Sequence, residues 1–406
     1  MKKVLVILIS FCTSISFSYS QNGWTQLAGY PGSGSCGMVG IGYQGTGMAG
    51  QGFYGSSTIN YADWWQYNPT SNSWSAKASL TASHRYSHSG FCIGEYAYLC
   101  MGSDYTVYFN DLWQYNGTSN TWTQKASFPG TTRYGAIAQA TGTKAYVGLG
   151  EHDASGGISD YFTDFYEYDA NADSWTAKAV FAGQARYLAF SFLINDVIYV
   201  VGGRSETGAA SWVYLKDMWA YDIATNTWSQ KTSYPGNGSM GLGGFVLGQY
   251  AYVGMGYNTT SGYSDFWRYN PQTDSWTQLS DFPGGNRYAM MCFNLGTTGY
   301  LGCGRTMAGS SMQDFWKYED QTGITESNFD EKIILYPVPA NNQIYIEGPD
   351  IKVVEIYTSN GSLVIHKEIN HPQTKTDINI SDLVSGFYYA KVSFGNSVIT
   401  KKVIKN

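Results

Sequence analysis

The chain has 406 residues, of which 13% are charged and 17% are aromatic, and it contains 48 glycines. This composition is rich in strand and turn formers and poor in helix formers, so it predicts an all-β protein. The net charge of −6 provides no electrostatic attraction for DNA or RNA, which argues against a nucleic-acid partner.

The first 20 residues predict a cleaved secretory signal peptide. Two lysines are followed by an apolar run and then by small residues up to Ser20, the order that such signals have. No later segment is long and apolar enough to span a bilayer. We therefore expect a mature chain without a transmembrane segment.

The mature chain contains a repeat with six copies. Each copy has the pattern Asp-x-aromatic-x-Tyr, and the copies start at Asp63, Asp111, Asp164, Asp217, Asp265 and Asp314. A second tryptophan follows the motif in the first five copies, as in "DSWTQLSDFPG" around Trp276, and the sixth copy lacks it. The context "NGWTQLAGYPG" around Trp24 supplies the missing piece. A fixed period indicates a repeat architecture, and the strand around Trp24 would close it into a ring.

Each repeat predicts four short antiparallel strands, because runs of five to seven residues alternate with Gly, Asn and Asp turns. Such blades arranged around an axis form a β-propeller. Eleven of the thirteen tryptophans occupy the two repeat positions, and Trp64 extends a motif, which favours packing between blades over ligand binding. Trp212 alone falls outside the pattern.

The glycines after the second strand carry a family resemblance. Gly202-Gly203 is a double glycine, and three repeats have looser forms at Gly148/Gly150, Gly254/Gly256 and Gly302/Gly304, whereas blades 1 and 2 depart from it. An aromatic third strand and the Trp strand follow. These features resemble the kelch repeat and the kelch-type propellers of the galactose oxidase group. The resemblance implies a six-bladed propeller over residues 21–318, in which the strand around Trp24 completes blade 6.

Residues 319–331 predict a polar linker, and residues 332–406 a small β-sandwich with Asn-Gly and Ser-Gly turns. Tyr336-Pro337-Val338-Pro339-Ala340 and the terminal Lys-Lys-Val-Ile-Lys resemble the type A C-terminal sorting domain of the type IX secretion system of Bacteroidetes. This resemblance implies that the secretion machinery is a partner. It also implies a protein that is secreted or held at the outer cell surface.

Five cysteines remain after signal cleavage. If the hairpin "MCFNLGTTGYLGCG" turns at Thr297-Thr298, Cys292 faces Cys303 and a disulfide can form. The alternative is that both are buried thiols.

Six of the seven arginines occupy two equivalent repeat positions. Arg85, Arg133, Arg186 and Arg287 start the innermost strand, whereas Arg204 and Arg305 follow the second strand. Because these strands are antiparallel, all six should ring one mouth of the channel. They could bind an anionic ligand or pair with the motif aspartates of their own blades. Ser35 and Ser239 replace the arginine in blades 1 and 5.

The loops at this mouth hold the other candidate residues. Trp212 could stack against a sugar or anchor its own loop. Glu151 and His152 belong to the one compact acid/base cluster, which could transfer protons or could be a solvated loop. No zinc-type spacing, P-loop or nucleophile elbow is present, so neither a cofactor nor a metal is predicted.

These observations favour a binding protein over an enzyme. The expected ligand is a glycan or an extracellular protein, bound on the arginine-bearing face. The alternative is a sugar-acid mutarotase or epimerase of the N-acetylneuraminate type, which the resemblance to bacterial six-bladed kelch propellers implies. A third alternative is a structural component of the cell surface.

Overall fold

A computed structural model describes residues 20–21, 23–33, 36–54, 61–154, 158–206, 211–320, 333–358, 362–394 and 397–406. The predicted signal peptide, except Ser20, and most of the predicted linker lie outside the described residues. The chain divides into two compact units, Met1–Asp320 and Gln321–Asn406. Regular structure in the described ranges consists of strands, and these ranges contain no helix long and apolar enough to cross a membrane.

The first unit consists of six antiparallel blades. It begins with β1 (Ser20–Gln21) and β2 (Trp24–Leu27). Blade 1 is β3 (Val39–Tyr43), β4 (Thr46–Gly50), β5 (Trp64–Asn68) and β6 (Ser73–Lys77); blade 2 is β7 (Ser89–Ile93), β8 (Tyr96–Cys100), β9 (Leu112–Asn116) and β10 (Thr121–Lys125).

Blades 3 and 4 each carry an additional hairpin after the second strand. Blade 3 is β11 (Ile137–Thr141), β12 (Lys144–Gly148), the hairpin β13 (Glu151–Ala154) and β14 (Ile158–Tyr161), β15 (Phe165–Asp169) and β16 (Ser174–Ala177). Blade 4 is β17 (Phe190–Ile194), β18 (Val197–Val201), the hairpin β19 (Arg204–Glu206) and β20 (Trp212–Tyr214), β21 (Met218–Asp222) and β22 (Thr227–Lys231).

Blade 5 is β23 (Gly243–Leu247), β24 (Tyr250–Gly254), β25 (Phe266–Asn270) and β26 (Ser275–Gln278); blade 6 contains β27 (Met291–Leu295), β28 (Thr298–Gly302) and β29 (Phe315–Glu319). The outer strand of blade 6 comes from the N-terminus, because β2 pairs with β29 and places Trp24 opposite Tyr318. Trp24 is completely buried against Phe245, Phe266 and Phe282. The predicted six-bladed all-β propeller is confirmed.

The repeated tryptophans connect neighbouring blades. Trp122 of blade 2 donates its indole N–H to the carbonyl of Ala78, in the segment that follows blade 1, at 2.8 Å. The outer-strand tryptophans of blades 1, 3, 4 and 5 donate in the same way. These indoles are half-buried, and each hydrogen bond fixes the ring against the neighbouring blade. The outer-strand tryptophans are therefore packing elements, as the repeat predicts.

A closed ring of six backbone hydrogen bonds surrounds the propeller axis. The repeat position that precedes each innermost strand, which we call the arginine slot, is Ser35, Arg85, Arg133, Arg186, Ser239 or Arg287. Each bond joins the residue two positions after this slot to its equivalent in a neighbouring blade, with N···O distances from 2.7 to 3.0 Å. We call these residues the annulus: Gly37, Ser87, Gly135, Leu188, Gly241 and Ala289. All six have positive φ angles, so the repeat holds the backbone in the left-handed region there.

The hairpin of β27 and β28 corrects the cysteine prediction. Its turn is at Gly296-Thr297, one residue earlier than expected, because Leu295 pairs with Thr298. Cys292 therefore lies opposite Leu301, and Cys303 lies beyond the end of β28. The predicted facing pair is wrong, and both residues are free thiols.

The second unit is a five-stranded domain. Its strands are β30 (Ile334–Tyr336), β31 (Gln343–Thr358), β32 (Leu363–Asn379), β33 (Gly386–Phe394) and β34 (Ser397–Lys405). The sheet order is β30-β31-β33-β34, and β32 also pairs with β31. Register shifts between Glu347 and Val353 bend β31. The alternating apolar residues of this sheet enclose one core, which includes Ile344, Val354 and Val392.

Candidate functional site

Four of the six repeat arginines are buried and form ion pairs with the motif aspartates. Arg186 donates from Nη1 and Nη2 to the two carboxylate oxygens of Asp217, both at 2.8 Å, and from Nη1 to the carbonyl of Gly202 at 3.0 Å. The same two-pronged contact joins Arg85 to Asp111, Arg133 to Asp164 and Arg287 to Asp314. All four arginines are at most 1% exposed, whereas the aspartate side chains are 17 to 30% exposed, so the guanidinium groups belong to the blade interior.

This geometry corrects the assignment of Arg85, Arg133, Arg186 and Arg287 as ligand-binding residues. Their guanidinium groups are not accessible to a ligand. Pairing with the motif aspartate of the same blade accounts for their positions. Burial alone would raise the pKa of Asp217, but the hydrogen bonds and charge of Arg186 outweigh it and lower that pKa. In blade 5 the slot holds Ser239, whose hydroxyl donates to the carbonyl of Asn237; Ser35 lies outside the described residues.

The residue after each arginine slot lines the mouth of the channel on the arginine side. We call this set the mouth ring: Cys36, Tyr86, Tyr134, Tyr187, Met240 and Tyr288. Each member forms an antiparallel bridge with a residue that follows the second strand of its own blade. The bridge of Tyr134 holds Glu151, the bridge of Tyr187 holds Arg204, and the bridge of Tyr288 holds Arg305. The fold therefore places these three residues around one opening.

Arg204 and Glu151 form an ion pair at the mouth. Nη2 of Arg204 lies 3.2 Å from Oε2 and 3.3 Å from Oε1 of Glu151, and 3.2 Å from the hydroxyl of Tyr161. The hydroxyl of Tyr134 donates to Oε2 of Glu151 at 3.4 Å. Glu151 is only 2% exposed. Burial raises the pKa of Glu151, although Ser159 and Arg204 partly oppose this rise.

Two aromatic rings pack against the Arg204 guanidinium. Its Cζ lies 4.5 Å from the ring centre of Tyr187 and 4.6 Å from the ring centre of Trp212. Trp212 is 51% exposed. The hairpin of β19 and β20 thus presents an arginine and a broad aromatic surface together at the mouth.

Arg305 is the second cation of the mouth. Its Nε donates to the carbonyl of Gly309 at 3.3 Å, and its guanidinium lies 5.8 Å from the ring centre of Phe53. Among the residues that the structure describes, no carboxylate lies within ion-pair distance of Arg305. Its positive charge is therefore not neutralised by an acidic side chain in the described ranges.

The structure separates His152 from Glu151. Nδ1 of His152 lies 2.7 Å from the carbonyl of Thr132, and the imidazole packs on Tyr108 at 4.6 Å. The two residues are neighbours on β13, so their side chains point to opposite faces. Within the described ranges, no group of three or more His, Cys, Asp or Glu side chains is arranged to hold a metal ion.

Sequence reasoning missed the tyrosines of the mouth. Tyr134, Tyr161 and Tyr187 contact Glu151 or Arg204, yet tyrosine is so frequent in this chain that no single one stands out. The available signal was the recurrence of Arg-Tyr at 85–86, 133–134, 186–187 and 287–288. The arginine of each dipeptide forms the ion pair within its blade, and the tyrosine belongs to the mouth ring.

Comparisons with known proteins support the two-part organisation. The model of the KLHDC2/KLHL20/DRC7 Kelch-repeats domain matches residues 133–304, and the model of the secretion system C-terminal sorting domain matches residues 334–406. A solved structure titled "Structure of YjhT" has a TM-score of 0.60 at 14% identity and covers 71% of this chain and 96% of that chain. That likeness shows the fold.

Curated relatives match part of this chain. Among them are proteins named N-acetylneuraminate epimerase from Shigella flexneri serotype 5b and from Escherichia coli K12. Each is 34% identical over 111 residues, which is 26% of this chain and 30% of the relative. The chain therefore matches less than a third of the length of these relatives.

The sorting domain indicates export by the type IX secretion system to the cell surface or the extracellular space. The matched repeats and the six blades agree on the architecture of the first unit. This chain is therefore a kelch-repeat β-propeller joined to a secretion system C-terminal sorting domain.

Proposed function

We propose that the exported propeller binds acidic carbohydrates at the mouth formed by Arg204, Arg305 and Trp212. The observation that carries this proposal is the position of the Arg204 guanidinium between Tyr187 and the half-exposed Trp212. An aromatic face next to a cation suits a ligand that has both a sugar ring and a carboxylate.

The charge distribution supports an acidic ligand. The chain carries a net charge of −6, but its mouth presents two guanidinium groups, and only Arg204 has a carboxylate partner in the described ranges. Glu151 holds Arg204 through Nη2 and thereby fixes its orientation. Arg305 is the group we expect to receive the ligand carboxylate, because arginine binds carboxylates in a planar, two-pronged manner.

The relatives support the sugar class. The curated proteins that share 34% identity over part of this chain are named for N-acetylneuraminate, an acidic sugar. The sequence also allows a protein ligand and a purely structural role. Two guanidinium groups next to one half-exposed tryptophan suit a sugar acid, because the ring can stack on the sugar and a cation can bind the carboxylate.

A glycan-array screen of the full mature chain tests the proposal. We expect salt-sensitive binding to sialylated or uronic-acid glycans, weakened roughly tenfold by Trp212→Ala through loss of the stacking surface. Arg305→Ala should abolish the salt dependence and most of the binding. Arg268→Ala is the matched control, because Arg268 lies on β25 and pairs with Asp320. Equal losses in both arginine variants, or no acidic glycan bound, would refute the proposal.

A second candidate function is mutarotation of a sugar acid. It is favoured by the buried Glu151, whose pKa is raised by burial although the neighbouring Arg204 lowers it in part. A group that transfers protons works best when its pKa lies near the working pH. The test follows the anomers of freshly dissolved N-acetylneuraminate by NMR. Acceleration above the buffer rate that disappears in Glu151→Gln would establish catalysis, and an unchanged rate with retained binding would leave binding as the function.

A further inference from the structure

The central channel contains a second cavity, separate from the mouth. Its volume is about 450 Å³, and residues of the innermost strands of all six blades line it, namely β3, β7, β11, β17, β23 and β27. The annulus precedes each of these strands by two residues. The hydrogen-bonded ring therefore lies between this cavity and the mouth ring.

Small residues let the innermost strands lie close together around this space. The second residue of each innermost strand lines the cavity and is Gly40, Gly90, Ala138, Ser191, Gly244 or Cys292. The fourth residue also lines it and is Gly42, Cys92, Ala140, Leu193, Val246 or Asn294. A Cβ at Gly40 would lie 2.9 Å from the backbone nitrogen of Cys292, and a Cβ at Gly42 would lie 2.5 Å from the carbonyl oxygen of Asn294, so the side-chain positions face the neighbouring blade.

The backbone makes the cavity polar. Each innermost strand is the edge strand of its sheet, and a two-residue turn joins it to the second strand. Its first, third and fifth residues are therefore the ones that form the hydrogen-bonded pairs with the second strand. Because antiparallel pairs alternate, the second and fourth residues point their N–H and C=O groups away from the sheet, toward the channel. Buried peptide groups require a partner, so the cavity needs water or a ligand rich in donors and acceptors.

The side chains of the cavity carry no charge. Nε2 of Gln139 donates to the carbonyl of Ser191 at 2.8 Å and to its hydroxyl at 3.0 Å. Asn294 lies exposed at the cavity wall. No charged residue is part of the lining that the structure describes. The lining therefore favours a neutral ligand, in contrast to the two cations of the mouth.

We propose that the channel cavity is a binding site for a neutral, polyhydroxylated molecule of monosaccharide size. The volume lies within the usual range for small-molecule sites, roughly 300 to 1,000 Å³. Hydroxyl groups act as donors and acceptors at once, which matches a wall of alternating peptide N–H and C=O groups. This site is independent of the acidic-glycan site proposed for the mouth.

The test uses saturation-transfer NMR on the full mature chain with D-glucose, D-galactose and N-acetyl-D-glucosamine as probes. Asn294→Trp places a bulky ring at the exposed position of the cavity wall, so we expect it to abolish transfer to the sugar that binds. Val180→Trp adds the same ring on an exposed loop and should leave transfer unchanged. Asn294→Ala should weaken binding about fivefold by removing one hydrogen-bonding group, and it serves if Asn294→Trp does not fold.

Two results would overturn the channel site. Transfer that persists in Asn294→Trp and in Asn294→Ala but disappears in Trp212→Ala would assign neutral sugars to the mouth. Absence of transfer to all three sugars would mean that the channel holds only water. Neither result bears on whether acidic glycans bind at the mouth, which is tested separately.

Discussion

The hydroxyl of Tyr234 donates a 2.8 Å hydrogen bond to Oδ2 of Asp265, the motif aspartate of blade 5. Blade 1 has the same contact between Tyr30 and Asp63, at 3.1 Å. These two blades lack the arginine, and their tyrosines occupy the place of Phe181 or Phe282 before the Gly turn of other blades. A neutral donor thus replaces the arginine at the same carboxylate. The motif aspartate therefore has a hydrogen-bond donor even in the two blades that lack the arginine.

Tyr234→Phe should destabilise the propeller by about 1 to 2 kcal/mol, because it removes a hydrogen bond to a charged acceptor and keeps the ring. Urea denaturation followed by tryptophan fluorescence measures this, since all thirteen tryptophans lie in the first unit. Tyr250→Phe, at a hydroxyl that contacts only exposed Gln249 in the described ranges, should change the unfolding free energy by less than 0.5 kcal/mol, on the order seen for surface changes. Equal effects would contradict this account.

Arg186→Ala should cost about 2 to 3 kcal/mol of unfolding free energy, because it removes a completely buried side chain and its hydrogen bonds to the partly exposed carboxylate of Asp217 and to the carbonyl of Gly202. The same denaturation measurement applies. Arg268→Ala removes a more exposed arginine from the same unit and should cost about 1 kcal/mol or less. A loss at Arg186 as small as that at Arg268 would show that the blade does not depend on its ion pair.

Gly135→Ala should destabilise the annulus. A Cβ at Gly135 would lie 2.7 Å from Cδ2 of Tyr187 and 3.1 Å from the backbone nitrogen of Leu188, at a φ of 62°. Gly94 has a φ of 57° and open space around its Cβ position, so Gly94→Ala pays only the conformational cost of about 1 to 2 kcal/mol. We expect Gly135→Ala to cost about 1 to 3 kcal/mol more. Similar melting temperatures for the two variants would contradict the tight annulus.

Deletion of residues 22–30 should destabilise the whole propeller, because it removes the outer strand of blade 6 and the buried Trp24. The substitution Trp24→Ala alone should cost about 3 to 5 kcal/mol. Thermal unfolding followed by near-ultraviolet circular dichroism reports both changes. An unchanged melting temperature after the deletion would disprove closure by the N-terminal strand.

Glu151 predicts a pH dependence of stability with a definite sign. Its folded-state pKa is raised above the ordinary value of 4.5 by burial. Its stabilising contribution is therefore complete below pH 4.5 and is lost as pH rises through the folded-state pKa. Measured from pH 4 upward, the unfolding free energy of the wild type minus that of Glu151→Gln should fall. A difference that rises with pH would show that Arg204 outweighs burial and lowers the pKa.

The six-bladed fold was predictable from the sequence because each blade repeats the same spacing of aspartate, aromatic residues and glycine. The strand around Trp24 was recognisable for the same reason, since its context matches that of Trp276. The turn of β27 and β28 was not, because Gly296-Thr297 and Thr297-Thr298 are both plausible turns. A shift of that turn by one position changes which residue faces Cys292.

The mouth was only partly predictable. Sequence position placed the arginines at one end of the blades, but it could not decide between a ligand and the motif aspartate as their partner. The decision depends on burial, which leaves Arg186 enclosed and Arg204 beside Trp212. Glu151 and Arg204 are far apart in the chain, and only the bridges to Tyr134 and Tyr187 bring them together.

We propose that the arginines divide into structural residues, paired with aspartate, and ligand-binding residues at the mouth. Isothermal titration of N-acetylneuraminate into the wild type, Arg305→Ala and Arg186→Ala, each well below its melting temperature, tests this division most directly. We predict that Arg305→Ala weakens binding at least about tenfold, whereas folded Arg186→Ala binds as the wild type does. Binding that is lost in folded Arg186→Ala and retained in Arg305→Ala would contradict the account.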